Sequence, residues 1–210
     1  MTAIRSLMLA TGNRHKIVEI RSGLAGLEGV RLFSFRDFPE AGPVEETGST
    51  LEENALLKAR AGYRLSGFPS LGDDTGLYVD ALDGQPGIYA ARYAGEGCTF
   101  DENIDKLLRA LKGVPLERRT ARFRCVMALV TGDQEQIVEG TIEGLIALGR
   151  TGDHGFGYDP VFWVPERQCS FAQIPLEIKN RISHRGQALA KIRDKLFHLL
   201  QQDQLQENPL

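Results

Sequence analysis

The chain has 210 residues, 42% hydrophobic and 25% charged, with a formal net charge of −3. That composition suits a folded domain with a sizeable core, and its acidic balance offers no basic face to a nucleic-acid polymer. Cys98, Cys125 and Cys169 are odd in number, far apart and without a C-x-x-C pair, which disfavours a disulfide framework or zinc knuckle and fits a reducing compartment. The opening apolar run is too short for a secretory signal, and no stretch approaches the roughly 18 apolar residues of a membrane helix. A cytoplasmic protein with no membrane contact is expected.

Leu7 to Ala10 form an apolar run that stops at Thr11-Gly12-Asn13. Ile17, Ile20, Leu24 and Leu27 then recur at helical spacing, so the chain opens as strand, tight turn and helix. Val30 to Phe35 read as a second strand, which makes a β-α-β start and places the chain in the α/β class. Arg36 to Ser49, with Pro39, Gly42, Pro43 and Gly48, reads as an ordered loop. Thr50 and Glu53 have capping-box spacing and open a helix to about Leu65. Pro69 to Leu82 alternates and contains Gly72 and Gly76, as two short strands or one bent strand would.

Thr99 and Glu102 form a second box, opening a helix that ends near Gly113. From Thr120 the period becomes two. Ala121, Phe123, Cys125, Met127 and Leu129 share one face, with Arg122 and Arg124 on the other. A turn at Thr131-Gly132-Asp133-Gln134 leads to an antiparallel partner from Gln136 to Ile146. The glycine-rich loop Gly149 to Asp159 precedes a short strand at Val161 to Val164. The last helix, Arg185 to Gln202, buries Leu189, Ile192, Leu196 and Leu199. Residues 1–200 are expected to form a single domain and 201–210 a polar, fraying tail. There is no internal repeat and no low-complexity segment.

Four features carry chemistry. Thr11-Gly12-Asn13 lies between a strand and a helix, where unpaired N–H groups and the helix dipole favour an anion. Gly12 admits a phosphate and Lys16 stands one turn in, although the Walker A spacing is absent and a plain capped helix explains the turn equally well. Two acidic pairs, Glu45-Glu46 and Asp73-Asp74, need a cation or a proton to offset their repulsion. One carboxylate from each would suit magnesium, while a solvated acidic loop is the plainer account of Glu45-Glu46. Gly155-Phe156-Gly157-Tyr158-Asp159-Pro160 can present an aromatic face to a nucleobase or serve as a hydrophobic plug. Lys179, Ser183, His184 and Arg185 form a donor set for phosphate or keto oxygens, or the solvated start of a helix that Ser183 caps.

Taken in order, TGNxxK at 11–16, EETG at 45–48, ENAxxKA at 53–59, DDTGL at 73–77, PGIYAARYAG at 86–95, GFGYDP at 155–160 and ISHRGQAL at 182–189 resemble the inosine triphosphate pyrophosphatase family. The match runs from about Ser6 to Lys195. It implies an α/β fold with a long central mixed sheet flanked by helices, two lobes and the active cleft between them, in a homodimer. It also implies magnesium-dependent hydrolysis of aberrant purine triphosphates (ITP, dITP and XTP) to monophosphate and pyrophosphate, clearing them from the nucleotide pool.

Carried over by position, Thr11, Gly12, Asn13, Arg14, His15 and Lys16 would hold the triphosphate, with Lys16 on a phosphate. Glu46 and Asp74 would bind magnesium with Glu45 and Asp73 in support, and Asp74 would be the general base. Thr75 would contact substrate. Phe156, Gly157, Tyr158 and Asp159 would line the base pocket, completed by Lys179, His184 and Arg185. Three positions depart from the family pattern. Thr75 replaces a common serine and keeps the hydroxyl, Gly72 replaces a common alanine and is expected to loosen the strand, and Arg14-His15 is bulkier and more basic than usual. A nucleotide sensor without turnover and a pyrophosphatase for pyrimidine or modified nucleotides are the competing readings.

Overall fold

The structure, a computed structural model, describes residues 5–206 apart from 28 and 133. The expected turn at residue 133 and the end of the expected tail, 207–210, lie outside the described residues. Strand β1 (Arg5–Leu9) ends where Asn13 caps helix α1 (Arg14–Gly23), its side-chain oxygen accepting from the amides of His15 and Lys16. Strand β2 (Val30–Ser34) returns parallel to β1 with Leu7 opposite Leu32, as the β-α-β reading requires.

Helix α2 (Leu51–Ser66) starts at Thr50, whose hydroxyl accepts from the Glu53 amide at 3.1 Å. The Glu53 carboxylate reaches one residue further back than a capping box demands, accepting from the Ser49 amide at 2.6 Å and hydroxyl at 2.8 Å. Strand β3 (Ser70–Val79) is a single strand of 10 residues, joined antiparallel by the two-residue β4 (Pro86–Gly87). Helix α3 (Phe100–Ala110) does carry the full box between Thr99 and Glu102.

Strand β5 (Thr120–Thr131) alternates only at first. Val126, Ala128 and Val130 are as buried as Cys125, Met127 and Leu129, so its second half is covered on both faces. Next come β6 (Gln134–Ile146), β7 (Phe162–Val164) and β8 (Cys169–Ser170). The short helix α4 (Leu176–Ile182) had no periodic signature, and α5 (His184–Gln206) begins just after Ser183, which caps the C-terminal end of α4. Leu189, Ile192 and Leu196 are buried as expected, while Leu199 lies outside the described side chains. Helix α5 also runs past Gln202 into the segment read as a tail. The strands form one sheet in the order β2-β1-β3-β5-β6-β7-β8, with β4 on β3. Parallel and antiparallel pairs make it mixed, and it is flanked by helices. Among the described residues no helix is long and apolar enough to cross a membrane.

By compactness the chain divides into two units: 1–74, 126–139 and 185–210 form the first, and 75–125 with 140–184 the second. The second has an aromatic and aliphatic core that includes Leu77, Ile104, Leu107, Phe123, Phe162 and Phe171. In the first, α2 lies unusually close to β3. A Cβ on Gly72 would sit 2.1 Å from the Ala55 carbonyl oxygen and 2.8 Å from the Ala59 nitrogen. Gly72 thus permits a tight helix–strand contact rather than a loosened strand. The start of α5 is tied down by Arg185, 2% exposed. It donates to Glu19 of α1 at 2.6 Å and to Asp73 of β3 at 2.9 Å.

Two substitutions test this packing. Gly72→Ala forces α2 off β3, and overpacking of this kind costs about 1–3 kcal/mol; calorimetry should record a lower Tm, and an unchanged Tm would mean the contact is not tight. Arg185→Met strips Glu19 and Asp73 of the guanidinium they share. Breaking a buried ion pair from one side costs on the order of 3–5 kcal/mol, so the denaturation midpoint should fall well below wild type. A midpoint at the wild-type value would show that the cluster does not hold α5.

Candidate active site

Successive side chains in a strand point to opposite faces. Asp73 and Asp74 are therefore separated by the backbone of β3, and each meets its own cation. Asp73, 1% exposed, is held by Arg185 and by the Lys16 ammonium of α1, which also donates to the Asp73 carbonyl at 3.3 Å. Asp74, on the same face as Gly72, meets α2. Its Oδ1 accepts from Lys58 Nζ at 2.6 Å, and the same ammonium reaches Glu46 Oε1 at 3.0 Å.

The two neighbours titrate in opposite directions. Burial pushes Asp73 up, but Arg185 and then Lys16 outweigh it and hold the carboxyl well below the usual range. Burial also pushes Asp74 up; Lys58 and Lys16 offset this only in part and Glu46 adds repulsion, so Asp74 stays above the ordinary carboxylate value. For Lys58, burial favours the neutral amine, yet Asp74 and Glu46 together outweigh it and raise its pKa. Divergent environments for adjacent acids mark one as a fixed charge and the other as a candidate base. Asp74 Oδ2 is buried and has no hydrogen-bond partner among the described residues.

The turn at 11–16 belongs to the same unit. Asn13 engages the amides of His15 and Lys16, so the capped-helix account holds for those two donors. Thr11 is buried and its hydroxyl accepts from the Asn13 amide at 3.2 Å. A Cβ on Gly12 would meet nothing within 4 Å, which leaves its backbone facing open space. Arg14 and His15 are exposed, as is Glu45, while Glu46 is half-buried. Thus Lys16, Glu46, Asp73, Asp74 and Arg185 are brought together with Lys58 and Glu19, and Glu45 is exposed. Glu46 and Asp74 are the pair able to take a hard divalent cation. Among the described residues no three His, Cys, Asp or Glu side chains gather as a protein-only metal cage.

In the second unit the GFGYDP loop turns on Gly155 and Gly157, both at positive φ, where glycine carries no steric penalty. Asp159 closes the turn by accepting from the Phe156 amide at 2.8 Å and pairs with Lys179 at 2.5 Å. The Lys179 ammonium lies 5.3 Å from the Phe156 ring centroid and 5.4 Å from that of Phe171. Phe100, the first residue of α3, also packs its ring against Phe156. Tyr158 is turned inward and donates its hydroxyl to the Ala90 carbonyl at 2.9 Å, with burial raising its pKa. His184 is buried and stacks on Phe123, centroids 4.6 Å apart. Thr75, next along β3 from Asp74, is half-buried. Phe156, Asp159 and Lys179 therefore form one cluster, while Tyr158 and His184 are engaged in the core.

Two residues of the site escaped the sequence reading. Lys58 lies within the ENAxxKA block yet was assigned no role. The usable signal was a lone lysine among apolar helix residues, one turn after Asn54. Glu19 looks like any exposed helical acid, and nothing local marks it as the partner of an arginine 166 positions away.

Known proteins resemble this chain over most of its length. A model of the Ham1 family matches residues 7–195. The chain is 49% identical over 191 residues to the dITP/XTP pyrophosphatase of Geobacter sulfurreducens, covering 90% of this chain and 96% of that protein. Among solved structures, a HAM1 protein from Coxiella burnetii superposes with a TM-score of 0.82 at 40% identity, covering 92% of this chain and 99% of the other. A nucleoside-triphosphatase / dITP/XTP pyrophosphatase from Mycobacterium abscessus gives 0.70 at 41% identity, covering 89% and 97%. With a family model matched over nearly the whole chain and relatives this similar, the chain belongs to the Ham1 family.

Proposed function

We propose that this chain hydrolyses aberrant purine nucleoside triphosphates, ITP, dITP and XTP, to the monophosphate and pyrophosphate, removing them from the nucleotide pool. Family membership and relatives named for this activity support the reaction class. The observation that carries the reading into this chain is the split pair on β3: a carboxylate locked as an anion beside one kept basic, with an oxygen to spare.

The chemistry requires water to attack the α-phosphorus while pyrophosphate leaves, a reaction in which positioning and charge stabilisation dominate. Asp74, held basic by burial, accepts the proton of that water. Lys16, anchored to Asp73 at the start of α1, and the open backbone at Gly12 receive phosphate oxygens, with Thr11, Asn13, Arg14 and His15 around them. Glu46 and Asp74 suit magnesium, which takes one or two carboxylates together with substrate phosphates, and Glu45 adds negative charge nearby. A bound magnesium ion would supply charge neutralisation at the phosphates. The Lys58 ammonium meets both carboxylates and offsets part of their charge.

For the base, Phe156 offers a stacking face backed by the Lys179 ammonium. Gly157, Tyr158 and Asp159 shape the loop, and Thr75, His184 and Arg185 are the other residues expected to contact substrate. Donors aimed at a 6-keto oxygen leave adenine, with its 6-amino group, facing unpaired buried groups, which is a costly mismatch. Guanine shares the keto oxygen, so its exclusion acts at position 2. A homodimer in the cytoplasm, with no nucleic-acid polymer as partner, completes the reading.

Incubation with ITP, XTP, GTP and ATP plus magnesium should release pyrophosphate, not single phosphate, with ITP and XTP far ahead of ATP and GTP; equal rates on all four contradict the base-reading account, and binding without turnover would make the protein a sensor. Chelation of the divalent ion should abolish turnover. Asp74→Asn should fold normally and lose about a hundredfold or more in kcat, the scale of general-base loss. Near-wild-type turnover would remove Asp74 from that role.

A further inference from the structure

Glu46 sits in a stretch without helix or strand from residue 38 to 50, and yet its carboxylate meets the same ammonium as Asp74. Something must hold that loop. Two residues on, the Gly48 amide donates to Asn54 Oδ1 at 2.9 Å. The seat is tight: a Cβ on Gly48 would lie 2.6 Å from that oxygen, 2.7 Å from Glu53 Cβ and 3.0 Å from the Asn54 nitrogen. Asn54 and Lys58 are four residues apart on α2, hence on one helix face. A single face of α2 therefore carries both the pin for the Glu46 loop and the cation that meets its carboxylate.

The two ends of the carboxamide differ, and the oxygen is the bonded one. Asn54 is 1% exposed. Because its oxygen must face the Gly48 N–H, the nitrogen points the other way, and Nδ2 has no hydrogen-bond partner among the described residues. A buried donor left unsatisfied costs free energy that an apolar residue of the same size would not. A position that keeps this penalty inside a well-packed helix is explained by what the oxygen does.

We propose that Asn54 is a positioning residue for the divalent-metal carboxylates, pinning Gly48 so that Glu46 is aimed at the place it shares with Asp74. The proposal rests on the reading of Glu46 and Asp74 as the metal pair. Residues of this outer kind, which orient a ligand without touching the ion, typically change metal affinity by about 10- to 100-fold when removed. Loss of the pin leaves the loop attached at Ser49, which is bonded separately to Glu53, so the fold survives.

The test breaks one contact from both sides. Asn54→Leu removes the acceptor together with the orphan donor, and Gly48→Ala crowds the loop away from an intact Asn54. Binding of Mn2+, an EPR-visible stand-in for magnesium, is titrated on wild type, both variants and Asp74→Asn, each with α,β-methylene-ITP bound. Both variants should weaken Mn2+ about tenfold or more, with the double variant no worse than either alone. Asn54→Leu should keep its Tm within about 5 °C of wild type or raise it. If Asp74→Asn loses Mn2+ while both variants bind as wild type does, Asn54 has no such role and the metal pair stands. If Asp74→Asn itself binds normally, the metal-pair reading falls and takes this proposal with it. Weak Mn2+ binding in Asn54→Leu alone, accompanied by a large drop in Tm, would assign the residue to structure only.

Discussion

The alternation of side chains along one strand is the constraint on which the site depends. Two like charges about 4 Å apart repel by roughly 4 kcal/mol at an effective dielectric near 20, which an adjacent pair on one surface would have to absorb. On β3 the backbone separates them, and each aspartate meets cations from different helices: Lys16 and Arg185 for Asp73, Lys58 for Asp74. The segregation sets chemistry as well as stability. Two cations on one buried carboxylate make it a fixed anion. One shared cation, burial and a nearby glutamate make the other a base. Register therefore does the work that two distant acids do elsewhere, and a one-residue slip of β3 would exchange the two environments.

Glycines determine how closely the rest can approach. Gly72 lets α2 rest its backbone on β3, and Gly48 lets the preceding loop rest on the first turns of α2. Between them they set where Lys58 stands relative to Asp74 and where Glu46 stands relative to Lys58. Distances of 2.6 and 3.0 Å from one ammonium leave little slack. A side chain at either glycine acts on the site without touching it, which is why backbone proximity belongs to the description of this chemistry.

Much of this was legible in the residues. The strand–turn–helix opening, the helices starting at Thr50 and Thr99, the first half of β5 and the glycine-rich loop all follow from local pattern and capping chemistry. Legibility failed where burial overrode the period. The second half of β5 is apolar on both faces, so alternation stops reporting its strand character. Helix α4 is seven residues long, opens after Pro175 and has no side-chain cap, too short for a 3.6-residue period to show. For the site, the acidic pair and the glycine turn announced themselves by type. Their division of labour did not, since it depends on α1, α2 and α5 each delivering a cation to one strand. Gly72 is the instructive case: read alone it weakens a strand, and read against Ala55 it is the only residue type that fits there without a shift.

The same logic gives the second unit its character. Lys179 is buried beside two aromatic rings and would be costly there as an unpaired cation. Asp159 offsets that cost, and the same carboxylate accepts the Phe156 amide. One acid therefore both neutralises the lysine and shapes the turn that presents the ring. A change that removed the acid would leave a buried ammonium against Phe156 and release the loop at once, so charge balance and loop geometry cannot be altered separately. In both units a buried carboxylate does two jobs, and in both the second job is to place a neighbouring group: Lys16 by Asp73, Phe156 by Asp159.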